Sequence, residues 1–240
     1  MVDKNRSDEL DSQSIDYVTS AAKSVLGAVP FAGSLLTELA GIVIPNQRID
    51  RIARFAVALE QRLSEFEKDF VRSQLENEGF TDLLEEGLRQ ASRSLSDERR
   101  EYIANLIANS LSPKAVEYIE SKQLLRVLGE LNDIEIIWLK SHDFMIANQK
   151  EFFEKHRAIL ETVMASVVDP PEVIDKEAIQ NSYQDHLAQF ELLEIRYRVD
   201  RKTRLPVYNA VGKLQIDKYE ITLLGRALLR YIGLSEEGPS

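Results

Sequence analysis

The chain contains no cysteine, which excludes disulfides, thiolate metal sites and thiol nucleophiles and points to a reducing compartment, with the cytoplasm as the expected location. Positive charge is also in short supply: 30 Lys and Arg stand against 40 Asp and Glu, for a net charge of −10. The summed field of such a chain repels phosphate and excludes non-specific coating of nucleic acid. A secretory leader is not expected, because residues 1–16 hold Asp3, Asp8, Glu9, Asp11 and Asp16 against Lys4 and Arg6, the wrong sign for an export signal. Histidine is scarce and scattered. His142, His156 and His186 show no HExxH, HxxxH or HxH spacing, so no two share a helical face as a metal site needs. No G-x-S-x-G elbow occurs, so that route to a serine nucleophile is absent. The run from Gly27 to Ser34 imitates a phosphate loop but has five residues between its glycines and no lysine before Ser34, so the groups that hold phosphates are missing. No catalytic residue, cofactor or small-molecule substrate is inferred, and a non-enzymatic protein is expected.

What the chain does have is 44% apolar residues over 240 positions, enough to bury a substantial core. Residues 24–44 are almost uncharged, with Glu38 as the one exception, and are interrupted by Gly27, Pro30, Gly33 and Gly41. Gly33, Thr37 and Gly41 recur every four residues and stack as a small-residue groove on one helix face, which lets a second helix approach closely. Arg48, Arg51 and Arg54 follow directly, a cationic flank of the kind that favours an anionic membrane surface. A helical hairpin bent at Pro30 is expected, either buried in a bundle or in conditional contact with the inner membrane. Glu38 opposes the lipid alternative.

Ile49, Ile52, Ala56, Leu59, Leu63, Phe66 and Phe70 are spaced alternately by three and four, a seam for one helix of about 30 residues. Such a stripe demands a partner, because each of its side chains gains ~1.5–3 kcal/mol when fully buried. A helical bundle is the first candidate and an intermolecular coiled coil the second. Phe80, Leu84, Leu88, Ala91 and Leu95 predict another helix, with Gly79 at the break. Ser96 followed by Asp97 and Glu98 reads as an N-cap with acidic residues at the positive end of the helix dipole. Ser112-Pro113 predicts a further start, with Val116, Ile119, Leu124, Val127, Leu128 and Leu131 on the buried face. Asn132-Asp133 opens a short helix. Lys150 to Val168 reads as helix ended by Asp169-Pro170-Pro171, and another helix is expected over about 175–194.

Beyond it the period changes to two at Ile195, Tyr197 and Val199, with a second strand through Leu214, Ile216 and Tyr219 to Thr222 and a closing helix from Leu223 to Ile232,. Helices, hairpin and helix in that order make a winged-helix pattern. From Ile195 to Tyr231 nine cations stand against three carboxylates. Arg196, Arg198, Arg201, Lys202 and Arg204 would form a basic wing that touches DNA backbone or a protein partner. The helix before the wing carries Asp175, Glu177, Asp185, Glu191 and Glu194, which disfavours entry into a groove, so protein contact is preferred and a DNA-binding regulator is the alternative.

Three phrases, DERREYIANLIANSLS (Asp97 to Ser112), LLRVLGELNDIEIIWL (Leu124 to Leu139) and EITLLGRALLRYIG (Glu220 to Gly233), resemble bacterial proteins of the Abi-alpha kind, associated with abortive infection. The resemblance implies a stress or phage-defence role and carries no catalytic residues with it. The expected architecture is mainly α: a disordered polar leader over 1–19, a helical bundle over 20–112, a winged-helix-like module with a small β-hairpin over 113–235, and a disordered tail over 236–240. The expected partners are another protein or a second copy through helical surfaces, with a membrane surface next and DNA last.

Overall fold

A computed structural model describes residues 48–112, 115–143, 149–166, 168–209 and 212–235. The elements are α1 (Ile49–Leu63), α2 (Lys68–Leu75), α3 (Glu78–Arg93), α4 (Asp97–Asn109), α5 (Tyr118–Glu130), α6 (Asp133–Ser141), α7 (Gln149–Lys155), α8 (Arg157–Leu160), α9 (Pro171–Gln189), β1 (Leu193–Tyr197), β2 (Ile216–Ile221) and α10 (Leu223–Tyr231). The protein is mainly helical with one two-stranded antiparallel hairpin near its C-terminus. It divides into two compact units. Among the described residues the first runs to Arg126 and takes in Tyr231–Gly233, and the second comprises Val127–Arg230 with Leu234 and Ser235.

In the first unit α1 packs on α3 and α4, so the apolar seam is covered by the same chain. Ile52, Ala56, Leu59 and Leu63 are buried, and Ala53 and Phe55 widen the stripe beyond a coiled-coil seam,. The single long helix does not form. A turn over 64–67 separates α1 from α2, with the Ser64 hydroxyl donating to the Gln61 carbonyl at 2.7 Å. The turn changes the phase, so Val71 is buried while Phe70 lies at the surface. Asn77 caps α3 by accepting from the Gly79 and Phe80 N–H groups, so the break precedes Gly79. Leu95 lies beyond the end of α3 and is exposed. Ser96 caps α4, accepting from the Arg99 N–H at 3.1 Å. The Arg100 guanidinium is buried behind that cap, donating to the Ser94 carbonyl at 2.8 Å and to the Asp97 carboxylate.

The start of α5 differs from the Ser112-Pro113 prediction. It lies at Tyr118, so Val116 and Ile119 are exposed while Leu124, Leu125, Val127, Leu128 and Leu131 are buried. The Tyr118 ring lies 5.6 Å from that of Phe80, and its hydroxyl reaches Gln74 at 2.5 Å. Those contacts fix where the helix begins. Residues 231–233 belong to this unit. Asn105 and Asn109 of α4 donate to the carbonyls of Ile232 and Tyr231 at 3.0 and 2.9 Å, satisfying the end of α10,. Gly233 has φ 77°, and a Cβ there would lie 2.6 Å from the Asn105 amide nitrogen, so a glycine ends the helix.

In the second unit Asn132 and Glu135 form a reciprocal capping box on α6,. The helix expected over Lys150 to Val168 breaks at His156 and ends at Leu160, leaving Met164 and Val168 exposed. The cause is a distant side chain. Gln180, buried on α9, accepts from the Val163 N–H and donates to the Glu161 carbonyl, both at 2.9 Å, giving the backbone partners outside a helix. Pro171 then sits at the start of α9, four residues before the expected position, as its fixed φ allows. Strand β1 pairs with β2 from Leu193↔Ile221 to Tyr197↔Ile216, with an irregularity between Arg196 and Tyr197.

The phrase Thr222-Leu223-Leu224-Gly225 closes the hairpin onto α10. The Thr222 hydroxyl accepts from the Gly225 N–H at 3.0 Å and donates to the Glu191 carbonyl at 2.6 Å, as an N-cap does,. A Cβ on Gly225 would lie 2.4 Å from the Leu192 carbonyl oxygen and 2.8 Å from Ile221 Cγ1. Only glycine permits that approach.

Candidate functional site

Gly27, Pro30, Gly33, Thr37 and Gly41 lie outside the described residues. Among the described residues no helix is long and apolar enough to cross a membrane. The cationic flank is partly engaged by the first unit. Arg51 donates to the Ser92 carbonyl at 3.2 Å, Arg54 pairs with Asp97 at 3.3 Å, and Arg48 stands half-buried at the head of α1.

The basic hairpin separates into two parts with different electrostatics. On the paired strands, Glu194 lies opposite Glu220 and Arg196 opposite Lys218, a register that sets like charges against each other. Lateral contacts resolve this. Arg196 reaches Glu194 at 2.9 Å and Glu220 at 2.8 Å, and Lys218 reaches Glu220 at 2.5 Å. Hydrogen bonds from Lys218 first and Arg196 second pull the Glu220 carboxyl down to about 2,. Arg196 therefore belongs to the strand network, and its charge is neutralised there.

Past Tyr197 the ribbon opens. Arg198 N–H donates to Gln215 at 2.8 Å, Gln215 N–H to Val207 at 2.9 Å, and Val207 N–H to Arg198 at 2.9 Å. Three backbone segments thus close a ring of hydrogen bonds, from which two loops project. The first is closed by a bridge between Val199 and Pro206, the second by one between Tyr208 and Leu214. The residues from Arg198 to Gln215 contain five cations, Arg198, Arg201, Lys202, Arg204 and Lys213, and one carboxylate, Asp200.

That carboxylate is occupied within its own loop. It accepts from the N–H of Lys202 at 2.9 Å and of Thr203 at 2.7 Å and from the Thr203 hydroxyl at 3.0 Å, contacts that hold it below the usual carboxylate range, with the Thr203 N–H contributing most,. No salt bridge to a described residue engages the five cations. Arg204 also holds φ 61°, a conformation in which glycine rather than a cation is the usual occupant.

Between the cations stand apolar side chains in water. Leu205 is 64% exposed and Tyr208 59%, with Tyr197, Val199, Leu214 and Ile216 also exposed. The sequence pattern marked the charges but missed this. Alternation at Ile195, Tyr197 and Val199 marks the strand, and the ribbon leaves Tyr197 and Val199 uncovered. A two-stranded ribbon with little burial on either face is marginal by itself.

Beside the hairpin, α9 presents carboxylates. Glu172, Asp175 and Asp185 are exposed and Glu177 half-exposed, with Lys176 among them. Its Asp185 accepts a hydrogen bond from the Tyr219 hydroxyl at 2.9 Å, and its His186 Nδ1 lies 2.7 Å from Glu135 on α6. These two neighbours tie α9 to β2 and to α6. Asp185 and His186, adjacent in sequence, thus have different partners. No group of three or more His, Cys, Asp or Glu among the described residues is arranged to hold a metal ion. Comparison with protein-family models, with curated proteins and with solved structures finds no match.

Proposed function

We propose that this chain is a non-enzymatic interaction protein of bacterial stress or phage defence, whose C-terminal helix–hairpin–helix unit works as a winged-helix-like contact module. The observation that carries this is the loop pair beyond Tyr197, where five cations face one internally satisfied carboxylate. A surplus of that kind on a chain of net charge −10 draws an anionic partner toward one end of one unit,. The defence context rests on the resemblance of the three phrases to Abi-alpha proteins. A role as a DNA-binding regulator is less well supported, because the exposed carboxylates of α9 repel a duplex laid along the helix that precedes the wing.

The test joins the surface to the role. A bacterium expressing the chain is challenged with phage beside one expressing an Arg201→Glu, Lys202→Glu, Arg204→Glu variant, and both proteins are run on a heparin column. The expected result is fewer plaques with the natural chain, lost in the variant, together with elution at lower salt. Equal protection by both proteins removes the hairpin from the function, and no protection by either removes the defence role.

A further inference from the structure

We infer that the loops beyond Tyr197 dock on an anionic phospholipid surface, an inference that rests on the anionic-partner reading above and names the partner's chemistry. The charges alone fit any polyanion. The apolar residues make the choice, because Leu205 and Tyr208 are exposed in the same two loops that carry Arg201, Lys202, Arg204 and Lys213.

Lipid headgroups accept both kinds of side chain at one depth. Cations meet phosphate, while leucine and tyrosine enter the boundary between headgroup and acyl chain. Tyrosine is itself enriched at that boundary. A duplex offers the phosphates but leaves Leu205 and Tyr208 in water, and it extends past the loops toward the carboxylates of α9. A planar surface met by the two loops avoids that conflict. The rest of the chain carries the negative charge, so an anionic surface is approached with the loops in front,.

Flotation of the full chain with vesicles tests this. Phosphatidylcholine vesicles with phosphatidylglycerol are compared with pure phosphatidylcholine, and a duplex oligonucleotide serves as the competing polyanion. The natural chain is expected to float with the phosphatidylglycerol vesicles alone. Leu205→Ser with Tyr208→Ser is expected to cut that partition by at least about tenfold, the factor that one buried leucine contributes. Arg201→Ser with Arg204→Ser is expected to do the same and to weaken its salt dependence.

Unchanged emission from Trp138 shows that the variants keep the second unit folded. Flotation that survives either variant overturns the proposal, because another segment then binds the lipid. Equal flotation with neutral vesicles also overturns it. Retention of duplex without flotation overturns the lipid inference while leaving the anionic-partner reading in place, and binding to neither overturns both.

Discussion

Replacing Gly225 by alanine is the sharpest structural perturbation available in the second unit. The new Cβ falls 2.4 Å from the Leu192 carbonyl oxygen, 2.8 Å from Ile221 Cγ1 and 3.3 Å from Leu139 Cδ1. Two of those neighbours are side chains with freedom to turn, but the first is backbone. It also accepts the Thr222 N–H at 3.0 Å, next to the last strand pair Leu193↔Ile221. Moving it therefore loosens the hairpin closure and the cap of α10 together. Overpacking of this kind costs ~1–3 kcal/mol, and a weakened backbone hydrogen bond adds about 1 kcal/mol. Alanine's helix preference returns at most about 1 kcal/mol. A net loss of roughly 2 kcal/mol follows, which lowers a urea midpoint by about 1 M for a unit of this size.

The assay is built into the chain. Trp138 is the only tryptophan, is buried, and precedes the Leu139 that touches Gly225. Its emission during urea titration reports unfolding of this unit. A midpoint equal to or above that of the natural chain refutes the close-approach argument. Gly87→Ala is the informative contrast, since its Cβ meets Ile107 Cδ1 at 2.4 Å. That atom is the end of a flexible side chain, so a smaller loss is expected, read by circular dichroism because Trp138 lies in the other unit.

Two further outcomes concern charge. Glu220, held down to about 2 by Lys218 and Arg196, adds stability that is present above the unfolded carboxylate value of roughly 4.3 and is lost as pH falls toward 2. A carboxyl titration by NMR is expected to show it ionised at pH 3, with its pKa rising in Lys218→Ala, and an ordinary titration in the natural chain contradicts the network. His142 is held below its usual value by burial, opposed by a hydrogen bond with the Tyr219 backbone. The unfolded chain then takes up a proton before the folded unit does, so stability read from Trp138 is expected to fall as pH drops below about 6.5. A His142→Phe variant is expected to flatten that slope, and an unchanged slope removes His142 as its source.

Much of the helical architecture was legible because its signals are local. Asn132, Ser96 and the buried spacing of Ile52, Ala56, Leu59 and Leu63 behave as cap and stripe rules require,. The failures have long-range causes. No glycine or proline marks the turn after Leu63, so the seam looked continuous through Phe70. The end of α8 is set by Gln180 from α9, and the start of α5 lies beside Gln74 and Phe80, contacts between separate elements that the periodicity of one helix does not register.

At the candidate surface, the count of cations was visible and their fate was not. Arg196 is neutralised because register brings Glu220 beside it, whereas Arg198, Arg201, Lys202 and Arg204 lie where the ribbon has opened. The exposed Leu205 and Tyr208 were hidden for the same reason, since their surroundings depend on the ring of hydrogen bonds joining Arg198, Val207 and Gln215.

The absence of cysteine makes the most direct test simple. A single Leu205→Cys substitution, labelled with an environment-sensitive apolar dye, places a probe in the first loop, beside its closing bridge, and nowhere else. Addition of phosphatidylglycerol-containing vesicles is predicted to shift its emission to the blue and raise its intensity, reversibly with salt, while phosphatidylcholine vesicles and duplex DNA leave it unchanged. An unchanged spectrum with the anionic vesicles, under conditions where the labelled protein floats with them, contradicts docking through this surface.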